Sequence, residues 1–513
     1  MNTLDTSSGA PSTVSGFSGF GEGAPLDLSN LTPAAESGVV ARLLDGSFSE
    51  WADAAAAVSN CARPVRLVGS STTVDVRTGE ILGTFSSDQA PLGVLHRACG
   101  NRRAQVCPSC SRVYARDTFE LIRAGVAGGK TVSPTVGDNP LLFATFTAPS
   151  FGHVHGTRPH NGMPTGGRCR PRDRAQACTH GIPIGCMRVH GEDDPANGSP
   201  ICWDCYDWHS AVVWQWWAPE LWRRTTIALR RELATRLGVK ECALRDHASL
   251  QFAKVAEYQA RGLVHFHALI RLDGPDGPGS PAPLEGRELA DAVNDAAGSV
   301  AVTVPGIDED DVARRLGWGQ QLDVRVVRAG RRTDEVSRAL APEQVAGYLA
   351  KYATKDANSI RGPGQARPHL TRLTSTCRDL STRSAERYGY GVDAKGKPLN
   401  PYLLLNKWAH MLGFRGHFSS KSRRYSVTLG QLRRARQRFQ ALVAESNRTG
   451  EPLDLRDLEA RLLADDEDTT LVVGSWAYQG TGWANPGDEA LALAAAARAR
   501  EYDQWRAEQR KTA

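Results

Sequence analysis

The 513-residue sequence has no run of about 18 apolar residues that could cross a bilayer, and its first residues do not form a charged-then-apolar secretion signal. We therefore expect a cytoplasmic protein with no membrane partner. Thiols stay reduced in that compartment, so the eleven cysteines favour metal ligation over disulfides.

Lysine is scarce as well. Only ten of the 62 basic residues are lysines, so arginine, the better ligand for phosphates and bases, carries most of the positive charge. The net charge is +6. A nucleotide-hydrolysing motor is not predicted, because the segment GVAGGKT at 125–131 would need glycine in place of Ala124 to form a phosphate loop.

The first cysteine group contains a C-x2-C knuckle, Cys107-Pro108-Ser109-Cys110, which is a strong zinc signal. Cys61 and Cys99 could complete a site with four thiolates. Such a closed site would stabilise the fold without catalysing a reaction.

A second group lies between residues 160 and 210. Its last four members are spaced C-x3-H-x11-C-x2-C, which is typical of a treble-clef or zinc-ribbon site. These four are Cys186, His190, Cys202 and Cys205. Three more candidates, Cys169, Cys178 and His180, either hold a second zinc with one further ligand or bind none. His153 and His155, in the preceding loop, either approach a site or are simply surface residues, and the surface position is favoured.

The segment RGLVHFHALIRLD at 261–273 has the pattern of a buried strand that carries two histidines. Successive side chains of a strand alternate between its faces, so His265 and His267 share one face. The pair predicts either a divalent metal site or two hydrogen-bonded core histidines. Glu257, on the preceding strand of a predicted hairpin, is either a third ligand or an exposed hairpin residue.

The segment EQVAGYLAKYATK at 343–355 is predicted to be helical, and helical spacing places Tyr348, Lys351, Tyr352 and Lys355 on one face. Two phenols and two ammonium groups together favour chemistry over core packing. A solvated helix face is the alternative.

Residues 401–450 hold ten Lys or Arg and a single acid, Glu445. This excess, close to aromatic residues, favours contact with a nucleic-acid backbone over a simple charged helix face. The candidate DNA-binding residues are Arg415, Lys421, Arg423, Arg424, Arg433 and Arg434.

The motif His-Phe-His at 265–267, followed by Tyr-Leu-Ala-Lys-Tyr at 348–352, resembles the signature of HUH endonucleases, specifically rolling-circle replication initiators with paired tyrosines. The blocks TAPSFG at 147–152, CWDCYD at 202–207 and GFRGHF at 413–418 resemble initiators of actinobacterial plasmids and integrative conjugative elements.

The resemblance implies an α+β fold in which a central antiparallel sheet has helices on one face and is interrupted by zinc-binding insertions. The expected strands lie near 141–148, 250–258, 263–272 and 321–327. The expected organisation is a flexible acidic tail (1–60) with one short helix, a zinc module (61–130), an endonuclease domain (141–358) with a zinc insertion at about 160–210, and a basic, mostly helical DNA-binding region (359–513).

The resemblance also implies a mechanism. The two histidines would hold Mg²⁺ or Mn²⁺, and a tyrosine would attack the scissile phosphate of single-stranded or hairpin origin DNA. The products would be a 5′-phosphotyrosyl link and a 3′-hydroxyl that primes synthesis by a host polymerase, aided by a host helicase, before religation. Tyr352 is expected to be the main nucleophile and Tyr348 the second, with Lys351 or Lys355 neutralising phosphate charge. The third ligand varies in the family, which leaves Glu257 open.

Two alternatives remain at this point. Another nickase of the same superfamily, a transposase or a relaxase, would share the site but act on a different DNA end. A zinc-dependent DNA-binding regulator would bind DNA without cutting it.

Overall fold

A computed structural model of the protein describes residues 27–172, 176–328, 346–350, 367–464 and 470–512. None of the helices in these ranges is both long and apolar enough to span a membrane. The labelled helices are α1 (Pro33–Leu44), α2 (Phe48–Ala57), α3 (Pro108–Ala127), α4 (Trp208–Arg236), α5 (Gly286–Ser299), α6 (Pro368–Tyr388), α7 (Leu429–Thr449), α8 (Leu458–Leu463) and α9 (Pro486–Thr512). The strands are β1 (Val65–Asp75), β2 (Ile81–Ser86), β3 (Leu95–Arg97), β4 (Leu141–Phe146), β5 (Pro159–His160), β6 (Met163–Gly166), β7 (Arg168–Arg170), β8 (Cys186–Val189), β9 (Ser249–Tyr258), β10 (Val264–Asp273), β11 (Ala301–Val304), β12 (Arg314–Gly317), β13 (Leu322–Arg328), β14 (Ser419–Lys421) and β15 (Thr470–Thr481).

The described residues form two compact units. The first unit combines the segments before residue 119 and after residue 427, and the second is continuous from 119 to 427. The four-part organisation expected from the sequence remains a prediction.

The first unit contains a sheet in the order β15-β1-β2, with β3 also paired to β1. β1 and β15 pair antiparallel along their whole length, from Val65 opposite Thr481 to Asp75 opposite Thr470. The region after residue 359 was expected to be mostly helical, and β15 is a strand within it that the sequence did not predict. Most side chains of β15 are exposed, so the strand lacks the apolar and polar alternation that marks a half-buried strand.

Residues 27–60, which were expected to be part of a flexible acidic tail with one short helix, contain two helices. Thr32 caps α1 by accepting a hydrogen bond from the backbone N–H of Ala35 at 3.3 Å. On α2, Trp51 is 1% exposed and packs against Trp483, with ring centroids 5.9 Å apart. The alanines of α2 are good helix formers, and Ala52, Ala54 and Ala55 belong to the same buried cluster as this tryptophan.

The second unit is built on a five-stranded sheet in the order β13-β4-β10-β9-β14, in which every neighbouring pair is antiparallel. The central hairpin turns at Gly262, whose φ of +82° suits glycine. Four of the five strands lie within a few residues of their predicted positions, and the short edge strand β14 was not predicted. Together with the helices they make a mixed fold that is compatible with the expected α+β class.

One face of this sheet forms the core of the second unit. Phe146, Phe266 and Ala268 are fully buried there and belong to the same apolar cluster as Trp214 and Trp216 of α4. The tryptophan-rich first half of α4 is therefore part of the core of the second unit. Because side chains alternate, the histidines of β10 project from the opposite face.

The far end of β10 is held by a fully buried ion pair. Arg271 Nη2 lies 2.8 Å from Asp273 Oδ2, and the Asn139 side-chain amide donates to Asp273 Oδ1 at 2.8 Å. Arg271 also donates to the carbonyl of Gly125. A Cβ at Gly125 would meet the ring of Tyr425 at 2.0 Å. The first glycine of the segment that resembles a phosphate loop therefore serves close packing.

Candidate functional site

The central hairpin brings one carboxylate to both histidines of β10. His265 and Glu257 are directly paired across the hairpin, and Glu257 Oε2 lies 2.9 Å from His265 Nε2 and 3.2 Å from His267 Nε2. The two imidazole centroids are 4.3 Å apart. The Glu257 side chain is only 13% exposed, so it is not a free hairpin glutamate.

Two residues of the neighbouring strand β4 hold His267 in place. Thr145 is paired with His267, and its Oγ1 lies 3.1 Å from His267 Nδ1. The ring of Phe143 stacks on the same imidazole, with centroids 5.5 Å apart. A partner on Nδ1 orients the ring so that Nε2 faces Glu257, which is the arrangement found around metal-binding histidines.

The donor set fits a divalent cation. One ligand atom each from Glu257, His265 and His267 lies within 4.8 Å of the other two. Two imidazoles and one carboxylate leave coordination positions open, and this mixture suits Mn²⁺ better than Mg²⁺, which prefers oxygen ligands.

A tyrosine lies next to these groups. Residues 346–350 are helical, with Ala346 and Leu349 buried and Tyr348 45% exposed. The ring centroid of Tyr348 is 5.9 Å from that of His267 and 5.5 Å from that of Phe143. The structure thus brings the second of the two predicted nucleophiles to the histidines.

The other predicted members of this helix face, Lys351, Tyr352 and Lys355, lie outside the described residues. Their roles therefore remain predictions.

Cys61, Cys99, Cys107 and Cys110 converge in the first unit, as the knuckle spacing suggested. Their ligand atoms lie within 4.8 Å of one another, and the Cys61–Cys107 and Cys99–Cys110 sulfur distances are both 3.7 Å. Tetrahedral zinc with Zn–S bonds of about 2.3 Å separates its sulfurs by about 3.8 Å. Hydrogen bonds from the thiols of Cys110 and Cys61 lower the pKa of Cys107, which favours the thiolate that zinc needs.

The cysteines and histidines of 153–206 are grouped differently from the expected ribbon. Cys186 and His190 do not join Cys202 and Cys205 in one group. The first described group is His155, Cys169, Cys186 and His190, and the second is Cys178, His180, Cys202 and Cys205. Every cysteine and histidine of the segment except His153 and His160 belongs to one of these two groups, including His155, for which a surface position was favoured.

His155 was missed because it lies 14 residues before Cys169, outside any short zinc motif. Cys178 and His180, spaced C-x-H, carried a signal that local spacing alone could not assign. These groups could hold zinc.

Comparison with known proteins identifies the family. The family model for the replication initiator protein of pSAM2 (RepSA) matches residues 47–497. The chain belongs to this replication initiator family. A curated replication initiator protein from Streptomyces ambofaciens is 40% identical over 464 residues, which cover 87% of this chain and 89% of that protein. No solved structure matches the chain.

A replication initiator binds DNA, but two of the predicted contact residues have structural roles in the second unit. Lys421 donates from Nζ to the carbonyl of Ser426 at 2.7 Å and to two further carbonyls, and burial lowers its pKa to about 8. Arg415 stacks its guanidinium on Trp216, 4.2 Å from the ring centroid. Lys421 is therefore not the open phosphate contact that the sequence predicted, because three backbone carbonyls close to it in the sequence already accept hydrogen bonds from its ammonium group.

Other predicted DNA contacts of the initiator remain on the surface. Arg423 and Arg424 of the second unit are exposed, and so is Arg433 on α7 of the first unit. Arg434 is partly buried. These four residues and Arg415, which is also exposed, remain candidates for phosphate contacts.

A cavity of about 640 Å³ opens at the turn end of the central hairpin. It is lined by the turn between β9 and β10, by the segment that follows β4, and by the residues just before β13. Its polar lining includes Ser150, Gln320 and Gln321, and Trp318 adds an aromatic wall. The volume is that of a typical small-ligand pocket, which is enough for one nucleotide.

Proposed function

We propose that this replication initiator nicks one DNA strand at its origin through a tyrosine nucleophile, with chemistry of the HUH endonuclease type. The observation that carries the proposal is the convergence of Glu257, both histidines of β10 and Tyr348 on one face of the sheet. A pair of core histidines would not require a carboxylate shared between them and a half-exposed phenol beside them.

The proposed reaction is a transfer at phosphorus. The phenolate oxygen of tyrosine attacks the scissile phosphate, an O–P bond forms, and the bond from phosphorus to the 3′-oxygen breaks. The departing 3′-oxygen takes up a proton and becomes the 3′-hydroxyl that a host polymerase extends, with a host helicase opening the duplex. The 5′ end stays on the protein until religation reverses the step.

The residues around the histidines of β10 have separate roles in this scheme. Glu257, His265 and His267 would hold Mn²⁺ or Mg²⁺, which supplies polarisation of a phosphoryl oxygen. Thr145 fixes the ring of His267. The cavity at the end of the hairpin is the proposed seat for a nucleotide next to the scissile bond.

Tyr348 is the candidate nucleophile among the described residues, and Tyr352 is the second tyrosine that the family motif implies. Two phenols one helical turn apart would allow one to cut while the other holds the first 5′ end. The Cys61 group and the groups of 153–206 would hold zinc and have structural roles, because four protein ligands leave no position for substrate.

The test uses single-stranded and hairpin oligonucleotides that carry the origin sequence and a label at the 3′ end. Purified full-length protein and Mn²⁺ are expected to give a labelled adduct that survives denaturing electrophoresis, and peptide mass spectrometry should locate it on Tyr348 or Tyr352. His265→Ala should remove the adduct and keep DNA binding.

The variants Tyr348→Phe, Tyr352→Phe and the double variant separate the two nucleophiles. Tyr390→Phe is the matched control, because this tyrosine of the second unit is 77% exposed and lies outside the site. An adduct that persists in the double variant would exclude the proposed nucleophiles. DNA binding by the wild type without any adduct would instead favour a regulator, and cleavage only of a transposon end or a transfer origin would favour a transposase or relaxase.

A further inference from the structure

The segment between β4 and α4 carries eight metal-ligand side chains, arranged as four pairs along the chain. The first and third pairs converge on one point, and the second and fourth pairs converge on another. In chain order the pairs are His155 with Cys169, Cys178 with His180, Cys186 with His190, and Cys202 with Cys205. We propose that this segment binds two zinc ions at interleaved sites, so that neither site closes without the other.

The first site has the geometry of a Cys2His2 centre. Cys186 Sγ lies 3.5 Å from His190 Nε2, close to the separation of about 3.5 Å that Zn–S and Zn–N bonds of about 2.3 and 2.0 Å give in a tetrahedron. His190 is fully buried, and its Nδ1 lies 2.7 Å from Asp194 Oδ2, which turns Nε2 toward the cysteine. The N–H of Gly156 donates to Cys169 Sγ at 3.3 Å, as expected for a thiolate. An imidazole backed by a carboxylate is typical of a zinc ligand.

The second site has three cysteines and one histidine. His180 Nδ1 lies 3.2 Å from Cys205 Sγ, 3.7 Å from Cys202 Sγ and 4.0 Å from Cys178 Sγ, so it faces all three sulfurs. A tight turn, in which Gly181 N–H donates to the carbonyl of Cys178 at 2.9 Å, brings the histidine back over its own cysteine. This is a second tetrahedral donor set.

Backbone hydrogen bonds tie the entry and exit of the segment together. His155 exchanges hydrogen bonds with the stretch before α4, donating to Ser199 O at 2.9 Å and accepting from Gly198 N at 2.9 Å. Asp207 donates to Phe151 O at 2.8 Å, and its side chain caps α4. The first site therefore fixes the exit of β4, and the second fixes the start of α4.

Interleaving couples the two sites. If the first site loses its zinc, the chain is no longer held on either side of Cys178 and His180, which are ligands of the second site. If the second site loses its zinc, the chain is no longer held on either side of Cys186 and His190, which are ligands of the first site. A ligand lost from one site therefore raises the entropy cost of closing the other. Two sites placed one after the other along the chain would be independent.

The test is the zinc content of the full-length protein by elemental mass spectrometry after a chelator challenge. The three four-ligand groups of the described residues predict about three zinc ions per chain. Cys169→Ser and Cys178→Ser, one in each proposed site, are each expected to lose two zinc ions and retain one. Cys242→Ser is the control, because this cysteine is exposed and belongs to none of the three groups; it should retain all three.

His155→Ala and His155→Cys keep the proposal testable if a serine variant misfolds. The alanine variant should lose the two zinc ions of this segment. The cysteine variant, which supplies another zinc ligand at the same position, should retain both of them. The zinc held by the Cys61 group reports that the first unit is still folded. Loss of one zinc per variant would overturn the interleaving, and full zinc content in Cys169→Ser or His155→Ala would overturn the ligand assignment.

Discussion

Lys254 offers a quantitative test of the core of the second unit. It lies on β9, is 4% exposed, donates from Nζ to the carbonyl of His417 at 2.9 Å and sits 4.5 Å from the centroid of Phe266. Burial lowers its pKa from 10.5 to about 7. Replacing it with methionine removes the charge and keeps most of the volume, so we expect Lys254→Met to stabilise the protein at neutral and acidic pH.

The sign and size of the effect follow from proton linkage. Between pH 7 and 10.5 the unfolded chain binds more protons at Lys254 than the folded chain, so wild-type stability rises with pH through that window. The cost of the buried charge is fully present below pH 7 and is lost as the pH rises toward 10.5. At 1.36 kcal/mol per pKa unit, this cost is about 5 kcal/mol at pH 6 and about 1 kcal/mol at pH 9.5.

The assay is urea-induced unfolding followed by tryptophan fluorescence at pH 6 and pH 9.5. The stabilisation by Lys254→Met should be larger at pH 6 by about 3 kcal/mol. Lys240→Met, at an exposed lysine of the same unit, is the matched control and should change stability little at either pH. Equal stabilisation at the two pH values, or none at pH 6, would refute the reasoning.

Other positions test the packing and the metal centre. Asp273→Asn leaves Arg271 buried without a carboxylate, so we expect urea denaturation to show a loss of about 3–5 kcal/mol; a loss under about 0.5 kcal/mol would contradict the buried pair. Gly125→Ala places a methyl carbon 2.0 Å from the ring of Tyr425, so it should lower the free energy of unfolding by about 1–3 kcal/mol in the same assay. Adding Tyr425→Leu to this variant should restore most of the lost stability. Glu257→Gln should weaken Mn²⁺ binding, measured by calorimetric titration, by at least about tenfold, and unchanged affinity would remove Glu257 from the proposed metal site.

Part of the candidate site could be predicted from local pattern alone. Strand periodicity placed His265 and His267 on one face, and the hairpin spacing brought Glu257 within reach. Thr145 and Phe143 could not be found in this way, because their contact with His267 depends on the register between β10 and β4, which lie more than a hundred residues apart in sequence. Register is set by the buried face of the sheet.

The metal groups show the same limit. The C-x2-C knuckle identified Cys107 and Cys110, since neighbouring ligands are constrained by local geometry. The pairing of Cys186 with Cys169, and of Cys202 with Cys178, is set by the path of the whole segment between β4 and α4. Spacing could identify the candidates but could not distribute them between sites.

The pairing of β1 with β15 affects the order in which the two units can fold while the chain is being synthesised. Val65 finds its strand partner at Thr481, so a ribosome must synthesise nearly the whole chain before the sheet of the first unit can be completed. The second unit, which ends at residue 427, contains all five strands of its own sheet and can fold earlier. A prematurely terminated chain would therefore carry the proposed nicking centre without a finished first unit, and β1 would be left with an unpaired edge prone to aggregation.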